Sequence, residues 1–299
     1  MGHKSRDFDL GHAGGASPRQ VEENQQRLRA ALGGRWVPAS LRQIHSAIVY
    51  EAGHAACSPA GSSAEDRAAR RRMLEYHPAG WRTSEGSATL GGDPVSESES
   101  SSLEHHNSPA GDALVTSEPG VLLSVRTADC LPVLVADVKL HLIAAVHAGW
   151  RGALARVVEK TVGEMRRAFG SAPEDMVAAL GPAIGRCCYE VGDEVVDAFR
   201  AQFTECDNFF CRPPCEREAD YTHSRYSQLF HTQAPPGHRR ERPNVHLDLA
   251  AVAQAQLLTA GLKASAIHHS GYCTACCPDL FFSYRRDGTQ AGRMMAAIG

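Results

Sequence analysis

The residues best placed to do chemistry lie in one stretch, Thr127 to Gly152, which reads TADCLPVLVADVKLHLIAAVHAGWRG. It holds a thiol at Cys130 and an imidazole at His147, 17 positions apart. Cys130 stands just before the apolar run Leu131–Val135, and His147 just after the run Leu140–Val146. Runs of this length, rich in Val, Leu and Ile and bounded by Asp and Lys, read as buried strands. Paired through a turn at Asp137–Lys139, the two strands would form a hairpin whose outer ends bring thiol and imidazole together. Such a pair serves either of two chemistries. A thiolate and a neutral ring nitrogen ligate a soft metal ion, or the thiol is a nucleophile with the histidine as its base. The small residues Ala148, Gly149 and Gly152 would let the backbone pass close to a bound group. Arg151 sets a guanidinium fork at the mouth, suited to phosphate or carboxylate. A lone Cys or His more often packs in a core, but the matched strand ends, glycines and arginine favour a site here.

Several elements must hold these groups in place. Leu154, Val157, Val158, Thr161, Val162, Met165 and Phe169 fall at helical spacing and predict an amphipathic helix stopped by Gly170. Ser17 to Leu32 reads as a helix with Ser17 as N-cap, Pro18 at the first position and Val21, Asn24, Leu28 and Leu32 as its inner stripe. Leu41 to Tyr50 reads as a strand in which Gln43 and His45 share one face. Val121–Val125, Met176–Leu180 and Ala264–His268 read as further strands, and Val191–Phe203 and Asp248–Leu262 as helices. Hairpin-like and helix-separated strands together predict a mixed α/β (α+β) fold, one domain over residues 1–299 with central mixed sheets flanked by helices.

Composition narrows the function. The net charge of −3 gives no reason to expect a nucleic-acid surface. No run approaches the roughly 20 apolar residues of a membrane span, and the opening residues lack an apolar signal core, so a cytoplasmic protein is expected. From about residue 58 to 108 the chain is poor in aliphatic residues and rich in Ser, Glu, Arg, Gly and Pro. That insertion reads as a disordered or solvated loop with a short basic helix near Ala64–Tyr76. His77, His105 and His106 within it carry no functional weight. Of the ten cysteines, Cys273 and Cys276 form a CxxC that invites a structural zinc, but such a site needs four ligands. The other close pair, Cys211 and Cys215, lies in an irregular stretch, and adjacent Cys187 and Cys188 are expected to be core filler.

Six segments in order resemble one family. They are QIHS at 43–46, DALVT at 112–116, TADCLPVLVAD at 127–137, HAGWRG at 147–152, GPAIGRCCYEVG at 181–192, and CT followed by FFSYRRD and GR. The chain is similar to the YfiH-type family of multicopper polyphenol oxidase or laccase-domain proteins, understood as zinc-dependent purine nucleoside phosphorylases with adenosine deaminase activity. The resemblance implies a metal held by His45, Cys130 and His147, with a fourth position open for water or substrate. The thiolate disfavours magnesium and calcium, so zinc is expected, with copper also chemically possible. A multicopper oxidase would need many more histidine ligands than this core provides. Arg151 and Arg285 are the candidates for phosphate or ribose, with Gln43 also on the substrate side. Asp129, beside Cys130, would orient a histidine ligand or act as general acid/base, or it simply caps a turn. The implied partners are purine nucleosides and phosphate, for a monomer or homodimer with no nucleic-acid or membrane role. Family members usually carry a strand and a Gly-Gly segment before the position of Asp9-Leu10-Gly11, so an edge strand and at least one pocket arginine are expected to be missing. Three alternatives stay open: a cysteine hydrolase using Cys130 and His147, a copper-dependent phenol oxidase, and a metal-binding homologue impaired in turnover.

Overall fold

A computed structural model describes residues 9–10, 16–33, 36–54, 73–77, 80–83, 109–211 and 245–299. The strands in chain order are β1 (Val37–Ala39), β2 (Val49–His54), β3 (Met73–His77), β4 (Gly80–Thr83), β5 (Ala113–Thr116), β6 (Val121–Thr127) and β7 (Leu131–Asp137). They continue as β8 (Leu142–Ala148), β9 (Met176–Leu180), β10 (Glu190–Val191), β11 (Phe210–Cys211), β12 (Val245–Leu247), β13 (Ile267–His269) and β14 (Met294–Ile298). The α-helices are α1 (Pro18–Ala31), α2 (Trp150–Leu154), α3 (Val157–Phe169), α4 (Asp193–Gln202), α5 (Leu249–Thr259) and α6 (Tyr284–Asp287).

The hairpin read from the sequence forms the middle of an eight-stranded mixed sheet ordered β13-β9-β7-β8-β5-β2-β3-β4. Strands β7 and β8 pair antiparallel, with Leu131 opposite Ala148 and Asp137 opposite Leu142. The second strand starts and ends two residues later than its apolar run, so His147 lies inside β8 rather than beyond it. Buried Asp137 shapes the turn: its carboxylate accepts the N–H groups of Lys139 and Leu140, each at 2.9 Å, and the hydroxyl of Ser171.

Alternation along the strands builds a core on each face of the sheet. Leu131, Val133 and Val135 of β7 and Leu142, Ala144 and Val146 of β8 face the helices, packing with Val158, Val162 and Met165 of α3 and Val252 and Leu257 of α5. On the opposite face Leu114 and Ala145 meet Leu123 and Val125 of a second sheet, ordered β1-β6-β14. A slip of one residue would exchange Leu131, Val133 and Val135 for Pro132, Leu134 and Ala136 on the helix side. Each large apolar side chain displaced from burial costs about 1.5–3 kcal/mol, so the core fixes the register of the hairpin.

The expected amphipathic helix divides in two. Arg156 adopts a left-handed φ of 59°, which ends α2 and starts α3, and Gly170 at φ 71° closes α3 as expected. Helix α1 has its Ser17 cap, whose hydroxyl accepts the Gln20 N–H at 3.3 Å, but of its stripe only Val21 and Asn24 are buried and Leu32 is exposed. The strand expected over Leu41–Tyr50 is irregular up to residue 48. His45 sits at φ 59° there, so period-two alternation does not apply and Gln43 and His45 share no strand face.

Most of the 58–108 insertion lies outside the described residues, including residues 64–72 of the helix expected near Ala64–Tyr76. Residues 73–76 of that helix are strand instead, because β3 pairs parallel with β2 and antiparallel with β4. The strand β14 was not anticipated. It pairs antiparallel with β6 from Met294 opposite Thr127 to Ile298 opposite Leu123. Among the described residues no helix is long and apolar enough to cross a membrane.

Candidate metal centre

The hairpin delivers Cys130 and His147 to one end of the large sheet, and the irregular segment before β2 brings His45 against them. The ligand atoms of the three residues all lie within 4.8 Å of one another. Cys130 Sγ is 3.7 Å from His45 Nε2, and the two imidazoles meet edge to face with centroids 5.0 Å apart.

Asp112 organises this group. Its carboxylate is 2.9 Å from His147 Nδ1 and accepts the backbone N–H groups of Ile44, His45 and Ser46 at 3.4, 3.0 and 2.5 Å. The Ser46 hydroxyl donates to it at 2.6 Å. One fully buried acid therefore orients one histidine through its ring and the other through its backbone. It also holds His45 in a left-handed conformation that a non-glycine residue rarely adopts. With Nδ1 of His147 engaged by Asp112, its Nε2 is the nitrogen left for a ligand.

The electrostatics are those of a thiolate–imidazolium cluster. Burial pushes the Cys130 thiol up, but hydrogen bonding and charge from His147 and then His45 outweigh it and bring its pKa to about 6. Burial likewise depresses His147, and the hydrogen bonds to Asp112 and Cys130 reverse this and raise it to about 9. Asp112 is lowered, because hydrogen bonds from His147 and Ser46 overcome the cost of burial.

The donor set fits a metal ion. Tetrahedral zinc with ordinary bond lengths separates nitrogen and sulfur ligands by about 3.6 Å, close to the spacing seen between Cys130 and His45. Backbone clearance is equally specific. A Cβ placed on Gly149 would fall 2.7 Å from Cδ2 of His45 and 2.9 Å from Sγ of Cys130, so glycine alone fits there without shifting both ligands.

A pocket of about 770 Å³ opens over this cluster. Five guanidinium groups line it, from Arg42, Arg126, Arg151, Arg285 and Arg293, together with the rings of Trp150, Tyr189 and Tyr284. Burial, and next the charge of Arg293, lower the pKa of Arg126. Both guanidinium groups line the same pocket, and like charges gathered on one concave wall raise the local concentration of anions.

The residues singled out from the sequence have distinct positions here. Arg151 stacks over Trp150 with its guanidinium carbon 4.4 Å from the ring centroid. Arg285 donates twice to the carbonyl of Glu190 at 3.0 Å and lies 5.3 Å from the Tyr189 ring centroid. Gln43 also lines the pocket, with its amide engaged by backbone: it donates to the Arg126 carbonyl at 2.7 Å and accepts the Arg126 N–H at 2.9 Å, clamping that arginine. Asp129, at φ 105°, accepts the Thr274 hydroxyl and the Arg285 N–H, each at 2.6 Å, while its carbonyl accepts the Ile184 N–H at 2.8 Å. The acid that orients a histidine is Asp112, and Asp129 instead ties the loop before Cys130 to two distant segments.

Sequence reasoning missed Asp112, Arg42, Arg126 and Arg293 as site residues. Asp112 was legible only as the first residue of the DALVT segment that carries the family resemblance. Arg126 and Arg293 meet because β14 lies against β6, a pairing with no local signal.

Residues 2–299 match the family model described as multi-copper polyphenol oxidoreductase laccase. The chain is 36% identical over 187 residues to a purine nucleoside phosphorylase of Bacteroides thetaiotaomicron, an alignment covering 62% of this chain and 60% of that one. It is 35% identical over 187 residues to adenosine deaminase RL5 of an unknown prokaryotic organism, covering 62% of this chain and 61% of that protein. The chain thus spans about 60% of the length of these relatives. The crystal structure of YlmD from Geobacillus stearothermophilus superposes with a TM-score of 0.64 at 28% identity, covering 100% of this chain and 88% of that one.

Proposed function

We propose a function from one premise: the chain belongs to the multi-copper polyphenol oxidoreductase laccase family. On our reading it is a purine nucleoside phosphorylase that also deaminates adenosine. It converts adenosine, inosine or methylthioadenosine and phosphate to the free base and the ribose 1-phosphate. The observation that carries this reading is an oriented two-histidine, one-cysteine cluster under a pocket lined by five arginines and three aromatic rings.

His45, Cys130 and His147 would hold zinc. When bound there, it supplies a Lewis acid and a water whose pKa falls towards about 7, the nucleophile needed at the purine carbon bearing the amino group. Asp112 fixes the tautomer of His147 and the backbone of His45, so the ligands are preorganised. Cys130 is drawn towards the thiolate by both histidines. Arg126 and Arg293, with Arg42, form the proposed phosphate cradle, since guanidinium forks match phosphate oxygens. Arg151 and Arg285 stand where they would contact phosphate or ribose. Trp150, Tyr189 and Tyr284 offer flat apolar surface to a purine. Gln43 and Asp129 act as positioning residues, one through Arg126 and the other through Arg285 and the Cys130 loop.

The test is metal content together with adenine and inosine formation from adenosine, with and without phosphate, on wild type and His45→Ala. The expected result is phosphate-dependent adenine release that disappears, with one metal equivalent, in the variant. Metal binding without any base or inosine overturns the catalytic reading. Dioxygen-dependent oxidation of phenols by the copper-loaded protein would replace it with an oxidase. Turnover of an ester or amide that survives chelation would point to Cys130 and His147 as a nucleophile–base pair.

A further inference from the structure

We propose that Cys187, Cys188, Cys273 and Cys276 form a second metal site, a structural tetrathiolate for a thiophilic divalent cation of the zinc class. The spacing offered only Cys211 and Cys215 as partners for the CxxC and disfavoured a site on that ground; the Cys211 sulfur points instead to the Arg186 carbonyl at 3.7 Å, and Cys215 lies outside the described residues. The adjacent pair expected to be core filler takes that place instead.

The four sulfurs all lie within 4.8 Å of one another. Cys276 Sγ is 3.5 Å from that of Cys187 and 3.4 Å from that of Cys188. Tetrahedral zinc with bonds of about 2.3 Å separates its sulfurs by about 3.8 Å, so small side-chain rotations bring this set to coordination geometry. Chemically the set is uniform: four soft donors and no oxygen, the pattern of a closed structural site.

The backbone around the thiols is built rather than incidental. Cys273 joins Ala183 in an isolated parallel bridge, and the Thr274 N–H donates to the Ala183 carbonyl at 2.9 Å. The Gly185 N–H donates to Cys273 Sγ at 3.2 Å. Arg286 braces the CxxC turn from outside, donating to the carbonyls of Thr274 and Ala275 at 2.9 and 3.2 Å. Cys276 is exposed, which leaves an entry path.

The location gives the site its role. It joins the segment that carries Ile184 and Tyr189, which line the pocket, to the segment that carries Thr274, which bonds the pocket residue Asp129. Thr274, between the two cysteines of the turn, holds Asp129 beside Cys130. The second metal would therefore fasten the wall of the first.

The experiment is metal analysis of the full chain after zinc loading, on wild type, His45→Ala and the double variant Cys188→Ser/Cys276→Ser. Two zinc per chain are expected in wild type and one in each variant. Cobalt loading in the His45→Ala background gives an independent reading even if the cysteine variant fails to fold. The intense visible bands and sulfur charge-transfer bands of a tetrahedral cobalt tetrathiolate are expected. A wild-type zinc content that falls to none in His45→Ala overturns the proposal. So does a second equivalent that persists in the cysteine variant, or a cobalt spectrum without tetrathiolate bands. An intact mass showing a disulfide within these four residues, in protein purified without oxidant, would replace the metal site with a redox pair.

Discussion

The Asp112 carboxylate lies 2.9 Å from Nδ1 of His147 and, on the same two oxygens, collects the N–H groups of the His45 segment. One buried acid thereby couples two histidines that stand 102 positions apart in sequence.

Replacing Asp112 by Asn keeps the shape and removes the charge. The amide donates where the carboxylate accepted, so the 44–46 segment and His147 cannot both stay bonded. A loss of about 10–100-fold in metal affinity is expected from removing such an outer partner. Competition against a zinc chelator measures it. Unchanged affinity in a folded variant would remove Asp112 from the site.

Gly149→Ala tests the clearance over the cluster. The new methyl meets His45 and Cys130 at less than 3.0 Å, so one ligand must move. Loss of one metal equivalent with a native circular dichroism spectrum is expected. Retention of the metal at wild-type affinity would mean that the loop relaxes freely.

Arg126→Ala should raise the KM for phosphate far more than that for nucleoside, because Arg126 and Arg293 face the same anion space. Steady-state kinetics with each substrate varied in turn separates the two. An equal rise in both constants would assign the pair to the pocket's architecture instead.

Thr274→Val removes the hydroxyl that serves buried Asp129 at 2.6 Å. Leaving that oxygen unpaired costs about 1–3 kcal/mol, read as a lower urea midpoint. Thr274→Ser should restore it. A neutral valine variant would show that water or a neighbour replaces the bond.

Asp137 provides the pH dependence. Burial pushes its carboxyl up, and hydrogen bonds from Ser171, Leu140 and Lys139 outweigh that, leaving it below its ordinary value. The unfolded chain therefore takes up this proton more readily than the native one. The stabilisation is complete above the unfolded value of about 3.9 and is lost as pH falls through the lower native value. Asp137→Asn should cost about 1–3 kcal/mol at neutral pH, and the gap to wild type should close below about pH 4. Urea melts at both pH values decide it, and a gap that stays constant would place the effect in packing alone.

Local sequence settled much of the scaffold. Short apolar runs rich in Val, Leu and Ile specified β7 and β8, and Met176–Leu180 emerged as β9 with the predicted ends. Helical spacing from Val157 to Met165, closed by Gly170, specified α3. These signals are short-ranged: an apolar run, a helical period and a left-handed stop are each written within a few residues. The hairpin argument also brought Cys130 to His147, because a turn of fixed length leaves only one pair of outer ends.

Tertiary structure decided the rest. The left-handed bend at His45 has no local signal, since the hydrogen bonds that hold it come from Asp112, 67 positions away. Arg126 and Arg293 converge because β14 returns antiparallel to β6. The fourfold thiol cluster exists because Ala183 bridges to Cys273, 90 positions on. Sequence alone determined which side chains are chemically capable and which short elements carry them. Which of them meet was set by packing, because each contact joins segments whose closure is rewarded only when the whole core forms.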